Sequence, residues 1–195
     1  MKFGGHQSAE ILVAIWPYAH DPLDAAIKCL TRGYGTHAAF VRGNGKIIES
    51  FWPCVRERNW KPHEGKRVEL YRVDGTTPAD WNRLERWFDA QLAKPVPPKW
   101  LCIVMQSPIV SRWFAAQASN YRTIYSVRDL FRFAFDLPPV STGECFCSMW
   151  DLRALRINLA DTKQPLVRLE YQDFASPRDL RISPMLKPVH VQGMT

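Results

Sequence analysis

The spacing of hydrophobic and polar positions along this chain changes period several times, and each change marks an element. Residues 11–16 (ILVAIW) are a continuous apolar run of strand length and predict a buried strand. Asp21 and Pro22 then open a helix as N-cap and first helical residue. Leu23, Ala26, Ile27 and Leu30 recur at helical spacing, and Gly33 and Gly35 end it. The clearest hairpin follows: a strand over 37–42, a Gly43-Asn44-Gly45 turn, and a strand over 46–52. Residues 67–73 (RVELYRV) alternate as another strand. Thr77-Pro78-Ala79-Asp80 caps a helix with Trp81, Leu84, Phe88 and Leu92 on one stripe, which stops at Lys94-Pro95-Val96-Pro97-Pro98.

Beyond that connector the pattern weakens. Residues 100–126 are apolar and aromatic, are interrupted by Pro108, and receive no assignment. Residues 127–137 predict a helix closed by Pro138-Pro139, and Gly143 and Glu144 lead into a helix that carries Cys147 and runs through Leu152 and Leu155. Residues 166–171 (LVRLEY) are strand-like, and Ser176-Pro177-Arg178-Asp179-Leu180 predicts a turn. With no internal repeat and no low-complexity tract, the reading is one α+β domain over residues 1–195.

Composition narrows the function classes. The chain has 195 residues, 46% of them hydrophobic, enough for one sizeable core. Its net charge of +7 comes from basic residues that are scattered and form no run, which reads as solvated surface, with an anionic substrate as the alternative. No finger, helix-turn-helix or RNA-binding signature accompanies the charge, so nucleic acid is not expected as a partner. The apolar run at 11–16 is too short for a secretion signal and follows Glu10, and no stretch is long enough to span a bilayer. A cytoplasmic location without stable membrane insertion is expected, unless a phage or secretion route delivers the protein outside. Five cysteines, Cys29, Cys54, Cys102, Cys145 and Cys147, are an odd number without framework spacing, which argues against a disulfide scaffold. Cys145 and Cys147 lack the second pair that a zinc site needs, so no metal is expected.

The remaining chemistry sits in two places. Cys147 falls at the start of a helix, where the backbone dipole favours a thiolate. His37 opens a hairpin strand on the face shared by Ala39 and Val41. Taken alone, each residue has a plainer reading, a small buried cysteine and a satisfied strand histidine. Glu49 on the second hairpin strand changes the balance, because a carboxylate among apolar neighbours needs a partner. With the turn centred on Asn44, position 37 lies opposite 51, which makes Glu49 its diagonal neighbour. A carboxylate on one ring nitrogen orients the imidazole and leaves the other for a thiol. His6, His20, His63 and His190 fall in no usable pattern.

These motifs resemble the circularly permuted branch of the NlpC-type papain-like cysteine hydrolases, the YiiX/YaeF-like group, distantly related to lecithin retinol acyltransferase. The resemblance runs through Thr36-His37-Ala38-Ala39-Phe40-Val41, the Gly43 to Gly45 turn with Ile47-Ile48-Glu49-Ser50, and Phe146-Cys147-Ser148-Met149-Trp150. It ends with Ser176-Pro177-Arg178-Asp179-Leu180 and Ser183-Pro184. It implies a permuted papain-like fold, an antiparallel sheet packed against the helix that presents the cysteine. It further implies a thiol hydrolase with Cys147 as nucleophile, His37 as base and Glu49 as orienting residue. The substrate would be a cell-wall-type peptide amide or a lipid-derived acyl group, handled without a cofactor. Met149 stands where the family has glutamate, and the Phe-Cys-Ser match favours Cys147 over Cys145 as nucleophile. A catalytically inactive ligand-binding module of the same fold is the alternative. A basic protein associated with DNA or membranes is a third reading.

Overall fold

A computed structural model describes residues 10–17, 25, 28, 29, 35–60, 68–135, 137, 147–159 and 176–189. Six strands, β1 (Leu12–Trp16), β2 (His37–Val41), β3 (Lys46–Phe51), β4 (Cys54–Asn59), β5 (Glu69–Val73) and β6 (Leu186–Val189), form one sheet in the order β4-β3-β2-β1-β5-β6. Every neighbouring pair is antiparallel. The helices are α1 (Pro78–Ala93), α2 (Lys99–Val104), α3 (Ser111–Ala118), α4 (Val127–Ala134), α5 (Cys147–Asn158) and α6 (Pro177–Arg181). The architecture is mixed α+β, as expected.

Local chemistry accounts for the best-defined elements. The hairpin closes where Arg42 N–H donates to the Lys46 carbonyl (2.8 Å), with Gly45 at a positive φ of 76° that side chains disfavour. Thr77 and Asp80 cap α1 reciprocally: the Thr77 hydroxyl accepts from Asp80 N–H, and Asp80 accepts from Thr77 N–H at 2.8 Å. Three expectations need correction. Residues 176–180 are not a bare turn but the start of a short helix, α6, closed by a second capping box between Ser176 and Asp179. Helix α4 ends at Ala134, short of residue 137. Residues 54–59, of which Arg56 and Arg58 enter the sequence reading only as scattered basic residues, form strand β4. The predicted strand over 166–171 lies outside the described residues, and of the predicted helix after Asp21 only Ala25, Lys28 and Cys29 are described, all helical.

Alternation along the strands divides the sheet into two faces. One carries Val13, Ile15, Ala38, Phe40, Ile48 and Val55 into the main core beneath α1 and α5. There the Trp150 ring stacks on Phe88 at 5.7 Å (23° between planes) and meets Phe40 at 6.1 Å. Trp150 lies three residues after Cys147, so burying this aromatic cluster also fixes the start of α5 against the sheet. The other face packs Trp16, Ala39, Val41, Ile47 and Leu70 with Trp60. A third, smaller cluster joins Leu101, Cys102 and Met105 to Ile124 and underlies α2 and α3.

Candidate active site

The imidazole half of the site is built by the sheet alone. Phe40 faces Ile48 and Val41 faces Ile47 across the hairpin. Continued to the strand ends, that register sets His37 opposite Phe51, with Glu49 on the diagonal. His37 Nε2 and Glu49 Oε2 are 2.8 Å apart. The imidazole is held from both sides, by Trp16 (ring centroids 5.2 Å) and edge-on by Phe51 (5.8 Å).

Glu49 is fully buried, and His37 is not its only partner. Strand β4 places Arg56 directly opposite Glu49, and Arg58 points to the same face two residues on. Arg56 Nε donates to Glu49 Oε1 at 2.9 Å and Arg58 Nε to the same oxygen at 2.8 Å. Arg56 also lies over the Phe51 ring, 4.0 Å from its centroid. A buried carboxylate that meets three donors is satisfied on both oxygens. Burial alone would raise its pKa. The hydrogen bond and charge of His37, then those of Arg58, reverse this and hold Glu49 ionised well below the usual carboxylate range.

The thiol half comes from the helix layer. Cys147 is the first residue of α5, is buried, and hydrogen-bonds His37. With Nε2 engaged by the carboxylate, Nδ1 is the ring nitrogen left for the sulfur. Burial pushes the thiol pKa up. The hydrogen bond and positive charge of His37 outweigh it, helped by the backbone N–H groups of Ala38 and Ser148, and the net shift is downward. For His37, burial works against the imidazolium, but Cys147 and Glu49 together raise its pKa to about 10. The favoured state is therefore thiolate beside imidazolium, with a carboxylate behind the ring. Sequence reasoning thus named three residues that the fold brings into one connected chain. Cys145 and the other four histidines lie outside the described residues.

Sequence reasoning missed Arg56, Arg58 and Asp151. The alternating Arg-Glu-Arg of β4 was the available signal for the two arginines, since period-two cations opposite Glu49 would share its face. Asp151 lies one turn after Cys147 on α5, and helical side chains lean toward the preceding turn, so it shares the face of Cys147. It is fully buried, and among the described residues neither carboxylate oxygen has a hydrogen-bond partner. Burial, then the Cys147 charge, push its pKa well above the ordinary carboxyl range, partly opposed by His37. Asp151 is therefore a buried carboxyl shifted toward its neutral form beside Cys147 and His37. Among the described residues no group of His, Cys, Asp and Glu is placed to hold a metal ion.

Comparison with known proteins adds no relative: no family model, no curated protein and no solved structure matches this chain.

Proposed function

We propose that the chain is a thiol hydrolase of amide or ester bonds, built on a permuted papain-like (NlpC-type) arrangement. The observation that carries this reading is the unbroken contact chain Cys147–His37–Glu49 with the ionisation it favours. In the proposed reaction the Cys147 thiolate attacks a carbonyl carbon, and the His37 imidazolium gives its proton to the departing amine or alcohol. A thioester to Cys147 remains. His37, now neutral, takes a proton from water, the resulting hydroxide attacks the thioester, and the acid leaves as the thiolate is restored. Backbone N–H at the start of α5, that of Cys147 first, is the simplest donor to the oxyanion. Glu49, fixed by Arg56 and Arg58, keeps the ring oriented while its charge alternates. Peptide amides of the cell-wall type and lipid-derived acyl groups are the two substrate classes in view.

Burial of Cys147, at 2% exposure, favours one second reading, an inactive binding module of the same fold. An iodoacetamide probe with peptide mass spectrometry separates the two. Rapid labelling of Cys147 at neutral pH that collapses in His37→Ala supports the hydrolase. Equal labelling with and without His37 would remove the activated pair, and with it the enzyme.

A further inference from the structure

The segment between Asp89 and Asp129 contains no acidic residue but holds Lys94, Lys99, Arg112, Arg122 and Arg128. It also folds with its largest apolar side chains turned outward. Helices α2 and α3 bury Leu101, Cys102 and Met105 against Ile124, which leaves their other side to solvent. On that side Trp113 is 85% exposed, Ile109 75% and Ile103 65%, with Trp100 and Val110 also exposed.

These residues are neighbours along the two helices and the turn that joins them. Trp100 and Ile103 are one turn apart on α2, and the Trp100 ring meets Phe114 of α3 at 5.8 Å. Ile109 and Val110 occupy the turn between the helices, and Trp113 N–H donates to the Val110 carbonyl at 3.0 Å. Beyond the end of α2, a groove of about 500 Å³ lined by Trp52, Val127, Phe131, Phe135 and Leu137 opens beside α4. Single exposed hydrophobics are ordinary in a folded protein, whereas a run of aromatic and aliphatic side chains this exposed marks a surface with a partner.

We propose that the outer face of α2 and α3 docks onto an anionic lipid surface. Trp113, Ile109, Val110 and Ile103 enter the headgroup boundary, and Lys99 and Arg112 meet the lipid phosphates. Charge selects this occupant. Lys99 and Arg112 are exposed, and neither is paired with a carboxylate among the described residues. Two copies of a face carrying only positive charge repel each other, so a second copy of this chain is a poor fit. An aromatic and aliphatic surface ringed by Lys and Arg is what an anionic membrane interface takes up. Among the described residues no helix is long and apolar enough to cross a membrane, so the contact is interfacial. The proposal does not depend on the hydrolase reading.

Co-sedimentation with vesicles tests it, using phosphatidylcholine alone or mixed with phosphatidylglycerol. Wild type should sediment with the mixed vesicles, stay free of the neutral ones, and be released by high salt. Arg112→Gln should weaken binding about fivefold, since a cation near the surface contributes about 1 kcal/mol. Trp113→Ser with Ile109→Ser should weaken it about tenfold or more. Both side chains are largely outside the core, so the thermal midpoint by circular dichroism should hold. Failure to bind mixed vesicles, equal binding to neutral ones, or full binding by the double variant would overturn the proposal. So would light scattering that shows a dimer dispersed by the double variant, because the face would then pair two copies.

Discussion

Replacing Glu49 by Gln keeps the shape of the buried side chain and removes one negative charge from beneath His37. The carboxylate is wholly buried and lies 2.8 Å from Nε2, so at an effective dielectric of about 20 the direct attraction has a ceiling of about 6 kcal/mol. Breaking a buried charge pair from one side costs about 3–5 kcal/mol. Part of that loss falls on the arginines, whose side chains are 40% and 28% exposed and can turn to water. About 3 kcal/mol then bears on the imidazolium, which at about 1.4 kcal/mol per pH unit moves its balance with the thiol by about two pH units. The sign is fixed: without the carboxylate the imidazolium is less favoured, so the thiolate forms at higher pH. The assay is the pH dependence of iodoacetamide alkylation at Cys147, read beside the ultraviolet absorbance of the thiolate. A thiolate midpoint unchanged in Glu49→Gln, in a protein that still folds, would refute the electrostatic role given to Glu49.

Three further outcomes follow from the same geometry. Cys147→Ser should abolish hydrolysis of a nitrophenyl ester and leave the urea midpoint close to wild type; full activity in that variant would dismiss Cys147 as nucleophile. Asp151→Leu should stabilise the protein by about 1–3 kcal/mol at neutral pH, because it removes an unsatisfied buried acid. Asp151 is raised in the folded state, so its contribution falls as pH climbs above the ordinary carboxyl range, and the gain from leucine should shrink in acid. A variant no more stable than wild type in neutral urea titrations would count against an unsatisfied buried acid at this position. The third concerns His37 and Cys147 together. Taken singly, the contribution of His37 is full below pH 6.5 and lost as pH rises to about 10, whereas that of Cys147, being lowered, is full above 9.0 and lost as pH falls. Above 9.0 the unfolded pair has shed both protons while His37 keeps its own until about 10, so the pair should make stability fall with pH over that span. Urea titrations of wild type and Cys147→Ala should differ in that window, and identical slopes would undo the coupling.

Legibility in the sequence followed how local each signal was. The Gly43-Asn44-Gly45 turn fixed the hairpin register and, through it, the approach of Glu49 to His37. Thr77 and Asp80 announced α1 because a capping box needs only neighbours in the chain. Strand β4 was hidden because its outer half reads Arg-Glu-Arg-Asn, with the polar alternation of a solvated edge. Its burial depends on a carboxylate across the sheet that no local pattern reveals. Helices α2 and α3 were obscured by Pro97, Pro98 and Pro108 and by apolar residues on both their buried and exposed sides, which erase a helical stripe. Asp151 stood one turn from Cys147, but burial of an unsatisfied carboxyl is a property of packing, and no spacing rule announces it.

The hairpin and strand β4 gather His37, Glu49, Arg56 and Arg58 within one short stretch of chain, whereas Cys147 belongs to a helix much further on. During synthesis the ring and its carboxylate clamp can assemble while the sulfur is still untranslated. The thiol then meets its activator only when α5 settles on the finished sheet. In a half-folded nascent chain the thiol and the imidazole are therefore still apart, and their pairing arrives together with the completed core.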